Sequence, residues 1–204
     1  MRYSEYLRGT ACRMAAKLGL ARLKTDETGA TAIEFAIVAT PFFMFIFGLI
    51  GISMYFFVMT SLDKGVDKQS RLIRTGQANS NNNIHNHPMT VDDFKNDVCA
   101  TAGTWIKCPS VQVFVQHFPD WTSVQPQACL SGSGQIVTNN ANGSDAIAAY
   151  SGTASDVVLV TTCYKWDFIK GIPYIKLGNM SDNSMMMQST TAFRTEPYTP
   201  PSGP

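Results

Sequence analysis

The chain has 204 residues, 45% of them hydrophobic, and its 16 Lys and Arg against 15 Asp and Glu leave a formal net charge of +1. Residues 30–204 hold ten basic against twelve acidic side chains, a balance that argues against nucleic acid as a partner. Setting aside one long apolar run leaves about 140 residues, enough for a single globular domain with a modest core.

In chain order, residues 1–29 form a short basic leader with six Lys and Arg against three Asp and Glu. Tyr3, Tyr6, Leu18, Leu20 and Leu23 give it weak helical periodicity and no core of its own. Thr28 and Gly29 break the pattern, and an apolar helix is predicted to begin at Ala30. From Phe35 to Leu62 no residue is charged, and as a helix these 28 positions span roughly 40 Å, enough to cross a bilayer with some tilt. Phe35, Phe42, Phe43, Phe45, Phe47, Phe56 and Phe57 point in all directions around it, whereas the core helix of a soluble domain keeps a polar face. A removable secretory signal fits less well, because its apolar region runs only ~7–15 residues. Pro41 removes a backbone donor and marks a predicted kink.

Beyond Thr60 the helical pattern continues, since Leu62, Val66 and Ile73 share a face and Asp67 stands four before Arg71, so a helix about 45 residues long is expected. It should end by Gln77–Asn83, where "QANSNNN" is a loop composition. Thr90 with Asp93 resembles a capping box opening a second helix over Val91–Ala102. Three strands are predicted: the alternation of Val111, Val113 and Val115, "DVVLVTTCYKW" at Asp156–Trp166, and "MMMQSTTAFRTEPY" at Met185–Tyr198. Between the first two, "SGSGQIVTNNANGS" at Ser131–Ser144 reads as a turn-rich surface connection, and Pro200, Pro201 and Pro204 as a frayed tail. The expected fold is α+β: the outer half of the long helix and the short helix pack on a small antiparallel sheet. The domain organisation is then a leader over 1–29, a membrane helix over 30–62 and an outer domain over 63–204.

Five cysteines are sorted by that helix. Cys12 precedes it and stays reduced if the N-terminus is cytoplasmic, while Cys99, Cys108, Cys129 and Cys163 follow it into an oxidising compartment where two disulfides can form. Four cysteines allow three connectivities. Cys99 with Cys108 and Cys129 with Cys163 is favoured, because the first pair closes a short local loop. Flanking basic residues do not set the orientation, as Arg13, Lys17, Arg22 and Lys24 on one side are matched by Lys64, Lys68, Arg71 and Arg74 on the other. The N-in orientation therefore rests on the cysteines.

Catalytic patterns are absent: there is no G-x-S-x-G, H-E-x-x-H or P-loop spacing, and Cys99 and Cys108 lie too far apart for a C-x-x-C motif. No enzyme activity, cofactor or small-molecule substrate is expected. His85 and His87 form an H-x-H pair with no acidic or cysteine partner beside them, and are read as solvated loop residues rather than metal ligands. Trp105, Trp121 and Trp166 are read as packing residues of one small core. Of Met185, Met186 and Met187, alternate members should face the core and the others a partner surface.

Glu34 stands at the mouth of the apolar run, where a carboxylate needs water or a partner, because at a helix centre it costs about 2.5–3.5 kcal/mol on insertion scales. It is the fifth residue after Gly29 and is followed by the aromatic Phe35. The stretch "GATAIEF" resembles the processing site of type IV pilins and pseudopilins. Joined to a cysteine-bearing outer domain, the "DVVLVTTCYKW" strand and the terminal "STTAFRTEPY", it is similar to the TadE-like family, pseudopilins and assembly proteins of the bacterial tight-adherence pilus. The major pilins of that system are much smaller and usually carry tyrosine where Phe35 stands, which points away from the main filament subunit.

The resemblance implies scission after Gly29 by a prepilin peptidase on the cytoplasmic side of the inner membrane, leaving a new amine on Ala30. It also implies that Glu34 neutralises that amine on a neighbouring subunit, an ion pair that gains strength at low dielectric, with other pilins and assembly proteins as partners and a periplasmic outer domain. Ala32, Ala36 and Thr40, four apart, offer a small-residue stripe for a neighbouring helix. The competing reading is an uncleaved single-pass protein whose periplasmic domain is a scaffold or binding module.

Overall fold

The computed structural model describes residues 29–81, 83–138, 143–171 and 178–197. The expected leader, Cys12, Tyr198 and the proline-rich tail lie outside the described residues.

Helix α1 runs over Ala30–Arg74, 45 residues, and continues through Pro41. It closes with Arg71 and Arg74 in its last turn, where positive charge suits the negative end of the helix dipole. Gly76, at φ 73°, then turns the chain out of the helix. The chain divides into two compact units between Ser53 and Met54.

In the first unit the apolar side chains of α1 are exposed all round, among them Ile33, Phe35, Phe42, Phe45 and Phe47. Three hydroxyls along the apolar run of α1 bond within the helix: Thr40 donates to the Ala36 carbonyl at 2.7 Å, Ser53 to Leu49 at 2.8 Å and Thr60 to Phe56 at 2.6 Å. Hydrocarbon offers no hydrogen bonds, so a helix in lipid has to satisfy its polar groups in this way.

The second unit is an α+β domain. Helix α2 covers Val91–Ala102 and opens with the predicted capping box, in which the Thr90 hydroxyl accepts from the Asp93 amide and the Asp93 carboxylate accepts from the Thr90 amide. Gly103, at φ 95°, ends it with a conformation that side chains resist. Strands β1 (Val111–Phe118), β2 (Val157–Trp166) and β3 (Met185–Arg194) form an antiparallel sheet in the order β1-β2-β3. A short helix, α3, lies at Ala148–Ser151. The register pairs Val113 with Thr162, Val115 with Val160, and Tyr164 with both Val111 and Met187.

That register places Val111, Val113, Val115, Val158, Val160, Tyr164 and Met187 on one face, where they meet Val58, Leu62, Val66 and Ile73 of α1 and Phe94 and Val98 of α2 in the main core. The opposite face is also covered, by Phe114, Cys129, Cys163, Met180 and Met186. Gly65 lets the two helices meet: a Cβ there would fall 2.7 Å from the Val98 carbonyl oxygen. Two disulfides join Cys99 to Cys108 and Cys129 to Cys163, the favoured connectivity, with Cα separations of 5.7 and 5.6 Å. The first ties the end of α2 to the approach to β1, and the second fastens the covering loop to the centre of β2.

Two expectations need correction. Trp166 is buried, but Trp105 and Trp121 are exposed, so only one of the three tryptophans packs in the core. Met186 and Met187 are both buried, on opposite faces, because the loop carrying Cys129 covers the side expected to meet a partner.

Candidate functional site

The structure places Gly29 in the turn just before α1, Ala30 at its first position, and Glu34 and Phe35 in its second turn. Four residues advance a helix about 6 Å and little more than a full turn, so Glu34 lies almost directly above Ala30. Both Glu34 and Phe35 are exposed, and among the described residues Glu34 has no hydrogen-bond or ion-pair partner. Ala32, Ala36 and Thr40 are exposed along the same helix. A Cβ added at Gly29 would meet nothing within 4 Å, so packing among the described residues gives no reason for glycine at that position.

Where α1 enters the outer domain, aromatic rings gather. Phe57 meets Trp105 edge-on at 5.7 Å, Tyr55 lies 6.3 Å from Trp166, and Trp166 stacks on Phe168 at 5.3 Å. Trp105 and Phe168 are more than half exposed.

A second cluster lies at the start of α2 and corrects the reading of His85, while His87 is an exposed loop residue as expected. His85 is half-buried, and its Nε2 lies 2.8 Å from Asp97 Oδ2. Its Nδ1 lies 3.8 Å from Asp93 Oδ1, and His87 Nδ1 lies 3.8 Å from Asp93 Oδ2. His87 Nδ1 also lies 2.9 Å from the Pro88 carbonyl. Burial works against ionisation of Asp93, but hydrogen bonds from the hydroxyl and amide of Thr90, with the neighbouring imidazoles, outweigh it and hold the carboxyl below its ordinary range. The acidic partners missing beside the H-x-H pair in sequence come from the helix that follows. Asp93 and Asp97 are four apart, one face of α2, and that spacing was the available signal.

An open cavity of about 290 Å³ lies among Asp67, Ser70, Arg71, Arg74 and Thr191–Phe193 of β3. It brings together none of the nucleophile and base pairs that hydrolytic chemistry uses.

Among the described residues the chain thus combines one helix long and apolar enough to cross a membrane with an α+β domain closed by two disulfides. Residues 29–71 match the family model for TadE-like protein. The match begins at Gly29 and takes in Ala30, Glu34, Phe35 and most of α1, while the rest of the α+β domain, including "STTAFRTEPY", lies outside it. No curated protein and no solved structure matches the chain.

Proposed function

We propose that the protein is a non-enzymatic pseudopilin or minor pilin of a tight-adherence type IV pilus. It is anchored in the bacterial inner membrane with its N-terminus cytoplasmic and its disulfide-bonded domain periplasmic. A prepilin peptidase cuts after Gly29, and the new Ala30 amine pairs with Glu34 of a neighbouring pilin as their helices pack in the membrane.

The observation that carries this reading is the pairing of two residues that make no side-chain contact among the described residues. Gly29 has open space where a side chain would go, and Glu34 is an exposed carboxylate with no partner among the described residues, heading a helix otherwise free of charge as far as Leu62. A glycine lets the backbone reach a protease in extended form, and an acid five residues on supplies the counter-charge for the amine that scission creates. The match of residues 29–71 to the TadE-like family supports the same role.

Co-expression with a prepilin peptidase tests it. N-terminal sequencing should read Ala-Thr-Ala-Ile-Glu, Gly29→Leu should block the cut, and Glu34→Gln should abolish or strongly reduce incorporation and surface fibres. An intact start at Met1, or full pilus assembly by both variants, favours the uncleaved scaffold instead.

A further inference from the structure

We propose that His85, His87 and Asp93 form a binding site for a divalent first-row transition cation such as Zn²⁺, with Asp97 orienting His85. One donor atom from each of the three lies within 4.8 Å of the other two. Metal–nitrogen and metal–oxygen bonds of about 2.0–2.2 Å put tetrahedral ligand atoms roughly 3.3–3.5 Å apart, so the 3.8 Å between His85 Nδ1 and Asp93 Oδ1 closes by a small side-chain rotation, while His87, whose Nδ1 lies 2.9 Å from the Pro88 carbonyl, must turn its exposed ring or give up that bond to present a lone pair. Three protein ligands leave a fourth position for water.

The surroundings are arranged for this chemistry. Donation of Nε2–H from His85 to Asp97 at 2.8 Å fixes the tautomer and leaves the Nδ1 lone pair on the side of Asp93. A carboxylate behind a ligating imidazole is the usual outer support of a metal-bound histidine. The capping bonds from Thr90 reach Asp93 Oδ2 and leave Oδ1 facing His85.

The turn carrying both imidazoles is itself fixed. Asn83 accepts from the His85 amide at 2.9 Å and donates to the His87 carbonyl at 2.8 Å, and Asn86 between the histidines takes the left-handed conformation at φ 57°. Backbone bonds from Met89 to Ala78 and from Ile147 to Met89 hold the end of the loop against the domain. Imidazole nitrogen with one carboxylate suits zinc and its first-row neighbours better than calcium or magnesium, which prefer all-oxygen sites. The bound ion would brace the loop against α2 in the outer domain, independently of cleavage at Gly29.

The test titrates Zn²⁺ into the full chain in detergent, on a Cys12→Ser background so that the leader thiol does not compete. A single equivalent should bind saturably and raise the unfolding temperature, since an ion that binds only the folded state stabilises it. His85→Ala and His87→Ala should each weaken binding at least about tenfold and Asp97→Asn about 10–100-fold, while His117→Ala changes nothing. His87 has a side chain 52% exposed, so its variant keeps the fold and decides the matter if His85→Ala does not. Absence of saturable uptake, or uptake that survives His87→Ala, overturns the site and leaves the cluster as ion pairs alone.

Discussion

At the scale of single residues, Asp182 of the α+β domain gathers two lysines and a serine around one carboxylate. Lys165 Nζ reaches it at 2.6 Å and Lys170 Nζ at 3.3 Å, and Ser184 donates through both hydroxyl and amide. The hydrogen bond from Lys165, followed by that from Ser184, holds the Asp182 carboxyl well below its ordinary range, and the same contact with Asp182 raises the Lys165 ammonium. A depressed carboxylate contributes stability that is complete above the unfolded value of about 4 and is lost as pH falls toward the native one. Raising a lysine acts in the opposite sense, and its contribution fades only as pH climbs past about 10. Asp182→Asn should therefore be less stable than the parent at neutral pH, with the gap narrowing as pH drops from about 5 to about 3 in urea unfolding curves. A gap that stays constant across that range would show the ion pair to be incidental.

At the scale of elements, the crossing of α1 and α2 turns on Gly65. In an exposed helix, replacing glycine by alanine adds about 1 kcal/mol of helix propensity. Here the new Cβ would sit 2.7 Å from the Val98 carbonyl oxygen, 3.3 Å from the Val98 side chain and 3.4 Å from Ala102. A backbone oxygen cannot rotate away, so the helices must separate, and overpacking of this kind costs about 1–3 kcal/mol. Gly65→Ala should come out net destabilised and Gly65→Leu more so by chemical denaturation. A gain in stability for Gly65→Ala would mean that the crossing yields more easily than the close approach implies.

Across the whole molecule, the disulfides hold parts of the chain that sequence separates very differently. Cys99–Cys108 closes nine positions and Cys129–Cys163 closes 34. By loop-closure entropy the longer crosslink should stabilise by about 1 kcal/mol more than the shorter one. Cys163 is fully buried beneath the second core cluster, so its release also unfastens the loop that covers that face. Paired Cys129→Ser and Cys163→Ser substitutions should lower the unfolding temperature more than paired Cys99→Ser and Cys108→Ser substitutions. The reverse order would mean that the α2 end, not the loop, is the weaker part of the domain.

Much of this architecture was legible in local order alone. The bounds of α1 follow from an unbroken apolar run joined to the helical spacing of Leu62, Val66 and Ile73, and the start of α2 from Thr90 and Asp93, three apart. Strand positions came from β-branched runs. Each is set by neighbours within one or two turns, where backbone geometry repeats and periodicity can be read directly.

What lies farther apart was decided only by the tertiary structure. Folding brings Asp97 to His85, covers Met186 with the loop carrying Cys129, leaves Trp105 beside Phe57 outside the core, and sets Gly65 against Val98. These contacts join segments whose separation is fixed by how two helices and a loop settle on the two faces of one sheet. Periodicity says which side of an element is apolar, and packing alone says what that side meets.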